Sequence, residues 1–230
     1  MKLLDDASLE LSSVVANSRM NRQRRAVGVN SYGKEFGVDP ITYLAERLDT
    51  AQSTSWLDLC CGRGCALIDA AESFRHHCLA HSVVLHGVDL VDLFDDIPHG
   101  MPCPQLESAS LHHWEATRKY DLITCAHGLH YVGDKLSLVE RMARWLTVDG
   151  MFLANLDLAN LCLADGQPLG RRIAKRFRDC GLVYNRRRHL LSCVGAKSLS
   201  LGYRYIGADD TAGPNYSGQE AVNSYYESHR

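Results

Sequence analysis

The stretch WLDLCCGRGCAL at 56–67 constrains this chain more than any other. It reads as a buried strand over 55–60 that breaks at small residues and glycines and re-forms as a helix. The helix has apolar positions at Leu67, Ala70, Ala71, Phe74 and Cys78, the spacing of one helical face. A strand that turns through Gly62 and Gly64 into a helix belongs to α/β architecture. Lacking Cβ atoms, those glycines let the backbone bend sharply and approach a bound nucleotide closely.

The same alternation continues downstream. A second strand is expected over Val83–Asp89, then a proline-containing loop or broken helix over 92–105 and a short strand at 106–111. A strong strand follows at 120–126, and a helix from Lys135 is capped by Asp134, with its stripe at Leu136, Val139, Met142, Ala143 and Leu146. The Asp149-Gly150 turn leads into another strand at 151–158. Strands separated by helices of this length predict a parallel sheet covered on both faces.

The two ends read differently. Residues 3–16 form a candidate helix, and Asp39-Pro40 supplies an N-cap and a first-turn proline for a helix reaching Leu48. Between them, 21–37 reads as a basic, glycine-containing loop. After a helix at 171–180, closed by Gly181, residues 182–207 read as antiparallel strands with turns near 185–188 and 195. Three regions follow: a helical cap and cleft-covering loop at 1–50, a nucleotide-binding core at 51–206, and a tail at 207–230. The expected fold is a Rossmann-like, seven-stranded, mostly parallel sheet with helices on both faces and antiparallel strands at its C-terminal edge. Hydrophobic content of 46% and 230 residues suffice for such a core.

The chemistry begins at Asp58 and Asp89. Asp89 closes the second strand, where a carboxylate can accept both hydroxyls of a ribose and repels a 2′-phosphate. A dehydrogenase loop needs a third glycine near Leu67, and GRGCALIDA has none; nor is there a phosphate-cradling GKS or GKT loop.

Taken in order, DLCCGRG at 58–64, Asp89, YDLITCAHGLHYVGD at 120–134 and WLTVDGMFLA at 145–154 resemble the class I S-adenosylmethionine-dependent methyltransferases. The resemblance covers residues 55 to about 158. It implies S-adenosylmethionine as cofactor. Asp58 and the backbone of Cys60, Cys61, Gly62 and Gly64 would face its methionine part, Asp89 would hold the ribose, and Leu90 would pack on adenine. Cys60 stands at the family's usual first glycine. Ser108-Ala109 stands where the family often has Asp-Ala against the adenine amino group, and Cys125 through Gly128 would line the sulfonium end.

Candidates on the acceptor side are His127 and His130, just past the fourth strand, either of which could take the proton released on methylation. Tyr32, with Asn30 and Ser31, could cover the sulfonium and exclude water. The tail offers Asp209 or Asp210 for a cationic group, and Asn215 and Tyr216 for an acceptor pocket.

A net charge of −2 gives no global reason to expect nucleic acid. The arginine clusters at 22–25 and 186–188 lack an aromatic platform and read as solvated faces. His76, His77, Cys78 and His81 diverge on their helix and imply no metal site. No run reaches the roughly 20 apolar residues of a membrane span. The acidic residues near the start, together with nine scattered cysteines, imply a cytoplasmic protein with reduced thiols. The function expected is methyl transfer to an oxygen or nitrogen of a small molecule, with release of S-adenosylhomocysteine. The alternatives are an RNA methyltransferase using the arginine clusters, or an inactive, methyltransferase-like interaction protein.

Overall fold

Side-chain alternation along the central strands builds two cores, one on each face of a sheet. The computed structural model describes residues 3–16, 23–98 and 104–228. Strand β1 (Thr54–Leu59) sends Trp56 to one face and Leu57 and Leu59 to the other, as a period of two demands. β4 (Tyr120–Cys125) and β5 (Leu146–Asn155) repeat the division with Leu122 against Ile123 and Leu153 against Phe152. The first face is covered by α3 (Pro40–Leu48) and α4 (Cys65–His76) through Leu44, Leu67, Ala70 and Phe74. The second is covered by α5 (Lys135–Trp145) and α6 (Gly170–Asp179) through Val139, Met142, Ile173 and Phe177. β1 is buried on both faces, which explains its near-continuous apolar sequence.

With β2 (Val83–Asp89), β3 (Gln105–Ser108), β7 (Val183–Asn185) and β8 (Leu190–Val194), the seven-stranded order is β3-β2-β1-β4-β5-β8-β7. β3 through β5 in this order are parallel, and β8 runs antiparallel to both β5 and β7. The expected Rossmann-like sheet is therefore present, with its antiparallel hairpin at the C-terminal edge. Chain order reverses between β1 and β4, so the crevice beyond their carboxyl ends is where such a sheet builds a ligand site.

Several boundaries differ from the sequence reading. The N-terminal helix is a single turn, α1 (Asp6–Glu10), capped by Asp5. The basic loop contains a second short helix, α2 (Tyr32–Phe36), whose cap Ser31 accepts from the Lys34 N–H. Asp149-Gly150 does not end a turn ahead of the strand, because β5 starts at Leu146 and carries a register irregularity opposite Tyr120 and Leu122. Gly150 is needed there: a Cβ would lie 2.7 Å from the Tyr120 carbonyl oxygen.

The largest departure is a second sheet. β6 (Leu161–Leu163), β9 (Tyr203–Asp209) and β10 (Asn223–Ser228) pair in the order β6-β10-β9. The stretch expected to finish the edge of the main sheet thus leaves it at Tyr203, and the boundary at 206/207 falls inside β9. Lys135, fully buried at the start of α5, ties this sheet down. Its Nζ donates to the Val132 and Val222 carbonyls at 2.9 Å each and to Ser224 Oγ at 2.7 Å. The N-terminal segment docks on the same sheet, Leu4 bridging Ala208, and Leu9 and Val15 pack with Ala208 and Val222.

Candidate functional site

At the carboxyl end of β1 the chain turns through three left-handed residues, Cys60 (φ +54°), Gly62 (+60°) and Gly64 (+76°). Glycine adopts this conformation freely; Cys60 adopts it at a cost of about 1 kcal/mol. The Cys60 thiol neighbours that of Cys125, which together with burial pushes it well above the usual thiol range. It is therefore no nucleophile. Asp89 locks the turn from β2: its Oδ2 accepts from the Gly62 N–H at 2.8 Å and its Oδ1 from the Val91 N–H at 3.1 Å. Gly64 caps α4 and lies against Leu106, whose Cδ1 would be 2.8 Å from an added Cβ.

This turn floors a cleft of about 960 Å³, counting its open mouth. Cys60, Cys61, Gly62, Asp89 and Leu90 line one part of it, and Ala126, His127 and Gly128 another. Its cover comes from elsewhere in the chain, including Glu10 and Val15 from the N-terminal segment, Arg24 and Tyr32 from the segment before α3, and Gln219 from the tail. A long, partly apolar trough with a carboxylate at the end of β2 and a close-approach backbone turn fits an adenosyl group. Asp89 and Leu90 would hold its nucleoside half, and the 60–62 backbone would hold the rest.

Asp58 lies below the cleft and does not line it. It is fully buried, with Oδ1 accepting from Thr124 Oγ1 at 2.6 Å and Oδ2 from the Tyr32 hydroxyl at 2.7 Å. Burial pushes its carboxyl up to about 7. Trp56 Nε1 in turn donates to Thr124 Oγ1 at 2.7 Å. Asp58 thus clamps Tyr32, and through it α2, onto β1 and β4. Tyr32 packs edge-on against Phe36 and Trp56 and presents its flank to the cleft.

His127, also left-handed at φ +59°, sits between the cleft and a polar knot. Its Nε2 is 3.2 Å from Glu35 Oε2. Glu35 also receives Arg24 Nη1 at 3.0 Å and Asn155 Nδ2 at 2.8 Å. A hydrogen bond from His127, reinforced by nearby positive charge, lowers the Glu35 carboxyl to about 2 despite partial burial. His130 lies behind. It is fully buried and off the cleft lining, neither ring nitrogen has a hydrogen-bond partner among the described residues, and burial lowers it to about 3.

The remaining sequence candidates divide. Ser108 Oγ donates to the Leu90 carbonyl at 3.2 Å, and the Ala109 N–H bonds the Asp89 carbonyl at 2.9 Å, so both brace the Asp89–Leu90 corner of the cleft. Leu111 and His112, just beyond, form the wall. Tyr216 stacks on His189 at 3.9 Å, with its ring centroid 6.1 Å from that of His127. Its neighbour Asn215 is buried and organises the local turn by accepting from Ser217. Asp209 accepts from Thr211, and neither Asp209 nor Asp210 lines the cleft. Asn30, on the loop before α2, likewise lies off the cleft lining. Among the arginines, Arg24 pairs with Glu35, Arg25 with Asp69, and Arg188 donates to the Phe36 carbonyl. Arg22 lies outside the described residues.

Glu35 escaped the sequence reading, and Arg24, expected on a solvated face, is instead largely buried against it. The only local signal was a charged residue inside a short capped helix, and nothing in the sequence shows which face of α2 meets the fourth strand.

Comparison with known proteins places this geometry. Residues 22–200 match a family profile described as a methyltransferase domain. No curated protein matches the sequence. Among solved structures, the magnesium protoporphyrin IX methyltransferase of Synechocystis PCC 6803 with bound SAM aligns at TM-score 0.51 and 17% identity, over 85% of this chain and 99% of that one. Coclaurine N-methyltransferase bound to N-methylheliamine and SAH aligns at 0.40 and 17%, over 50% of this chain and 34% of that one. The plantazolicin methyltransferase BpumL in complex with SAH aligns at 0.40 and 15%, over 65% and 52%. This chain thus spans a third to about half of the last two.

Proposed function

The chain belongs to the class I S-adenosylmethionine-dependent methyltransferases, and on that premise we propose that it methylates an oxygen or nitrogen of a small-molecule acceptor held beside His127. The observation that carries this reading is one continuous cleft with the carboxylate of Asp89 and the 60–62 turn in one part and His127 in another. When bound, the cofactor supplies an electrophilic methyl group on a sulfonium.

The protein's own part is alignment, desolvation and the handling of one proton. Asp89 is placed to accept from a ribose diol, and its two backbone bonds make its orientation rigid. Tyr32, fixed by Asp58, walls the cleft with an aromatic side chain of the kind that suits a cation. The N-terminal segment covers the cleft beside Leu90 and Ser110, and Gln219 also lines it, an enclosure that suits a small molecule better than a polymer. Arg24 is engaged by Glu35 inside the site, and the pairing of Arg25 with Asp69 and of Arg188 with the Phe36 carbonyl holds two further members of the arginine clusters against the protein. Among the described residues no helix is long and apolar enough to cross a membrane, and eight cysteines are free, in keeping with a reducing, cytoplasmic setting.

Calorimetric titration with S-adenosylhomocysteine, beside NAD and the Asp89→Ala variant, tests the reading. Binding of S-adenosylhomocysteine, weakened at least about tenfold in the variant through loss of charge-assisted hydrogen bonds, is expected. Failure of the wild type to bind it, or a preference for NAD, would overturn the proposal.

A further inference from the structure

Along the strand ends, the order β3-β2-β1 fixes how an adenosyl group can lie in the cleft. With its ribose at Asp89, which closes β2, and its amino-acid half over the 60–62 turn that follows β1, its base reaches out past β3. Ser108, the last residue of β3, is level with Asp89. Ser110 follows by two residues, no more than about 7 Å of chain. Val15, Leu90 and Leu111 line the cleft at this end, and Leu90 packs against the cluster that contains Val15. Apolar side chains suit the two faces of a purine, but its edge is polar and needs partners of its own.

The carboxylate at that end comes from elsewhere in the chain. Among the described residues lining the cleft, only Glu10 and Asp89 carry carboxylates. Glu10 ends the single-turn helix α1, which is pinned at two points to the segment after β3. Asp6 Oδ2 lies 2.9 Å from His112 Nδ1, and Ser110 Oγ donates to Glu10 Oε1 at 2.5 Å. The same Oγ accepts from the His112 N–H at 3.2 Å, which leaves its one hydrogen for Glu10. Glu10 is thereby held by one oxygen, and its Oε2 has no hydrogen-bond partner among the described residues. The carboxylate on β3 itself, Glu107, is engaged by Trp114 Nε1 at 2.9 Å and His86 Nε2 at 3.2 Å and lies off the lining.

We propose that Glu10 recognises the 6-amino edge of the cofactor's adenine, its Oε2 accepting an amino hydrogen while Val15, Leu90 and Leu111 contact the ring. An ionised carboxylate accepts and cannot donate, so it favours an amino group at that position and repels the carbonyl of a 6-oxopurine. Selectivity for the base therefore resides in the N-terminal segment and not in the sheet, and the docking of α1 completes the cofactor site. This assignment rests on the methyltransferase reading above and names a residue that selects its cofactor.

The test is calorimetric titration of the full-length protein with S-adenosylhomocysteine and with S-inosylhomocysteine, its 6-oxo analogue. The wild type is expected to bind the adenosyl compound at least about tenfold more tightly, as the loss of one charge-assisted hydrogen bond predicts. In Glu10→Ala that preference should fall by about the same factor, through weaker binding of the adenosyl compound alone. Glu10→Gln keeps the volume and can still accept from Ser110, so the segment stays docked if the alanine variant does not fold. Its amide nitrogen then stands in place of Oε2, which should weaken the adenosyl compound and strengthen the inosyl one. Substitutions that weaken both compounds equally would show that Glu10 only braces the segment and would overturn the proposal, as would a wild type without preference. If the wild type binds neither compound, the methyltransferase reading itself fails, whereas failure of this assignment alone leaves S-adenosylhomocysteine binding in place.

Discussion

Replacing Asp58 with asparagine should remove a stability penalty that grows with pH. Asp58 is 0% exposed, and burial raises its carboxyl from 3.8 to about 7 in the folded protein. Between those values the folded state holds a proton that the unfolded state has released, so the wild type loses stability as pH rises through this window. Full ionisation costs about 4 kcal/mol, from roughly three units at 1.36 kcal/mol each. Integrated from pH 5 to pH 8 with the same two pKa values, the loss is about 2–3 kcal/mol. Asparagine does not titrate, and its Oδ1 can still accept from Thr124 while its amide faces the Tyr32 oxygen. Urea denaturation of both proteins at pH 5 and pH 8 isolates the effect, because other titrating groups largely cancel between variant and wild type. The stability of Asp58→Asn relative to wild type should rise by about 2–3 kcal/mol between the two pH values, or roughly 5–10 °C in melting temperature for a chain of this size. A difference that stays constant across the range would show that the carboxyl is already ionised at pH 5 and would refute the reasoning.

Lys135 shows the opposite sign. Burial lowers its amine from 10.5 to about 7, so the unfolded state binds the extra proton and the wild type should gain about 2 kcal/mol over Lys135→Met from pH 7 to pH 9, read by the same denaturation assay. Gly128→Ala would put a Cβ 2.4 Å from Cys60 Cβ and 2.5 Å from its Sγ, an overpacking expected to cost about 1–3 kcal/mol. Cys60→Gly in the same chain removes the two Cys60 contacts and relieves a strained left-handed residue but leaves Cys125 Sγ at 2.8 Å, so the double variant should recover part of that loss in a thermal melt.

Much of the core was legible because its signals are local. The helix α5 was readable from Asp134, whose carboxylate accepts from the Ser137 N–H, and from an apolar stripe that depends only on helical spacing. The glycine turn and the carboxylate closing β2 announced a nucleotide cleft, and the structure brings them together through the Gly62–Asp89 bond. Asp58 was harder to read. The family resemblance implied a cleft-facing carboxylate there, whereas strand alternation and the Tyr32 and Thr124 hydroxyls turn it inward. The fate of residues 203–228 was hidden for a different reason. A β-strand sequence encodes two faces but not which neighbour it pairs with, and β9 finds β10 and the N-terminal segment in place of the open edge at β7.

The amino-acid sequence by itself determined the strand–helix alternation of the core, the turn at 60–64 and the acidic end of β2, since hydrophobic period and backbone freedom act over a few residues. Only the tertiary structure decided what closes the cleft. Glu35 meets His127 and Asn155, and Lys135 meets Val222 and Ser224, across long stretches of chain. Such partners are chosen by the burial of charge, which must find compensating donors or acceptors wherever the packed chain brings them.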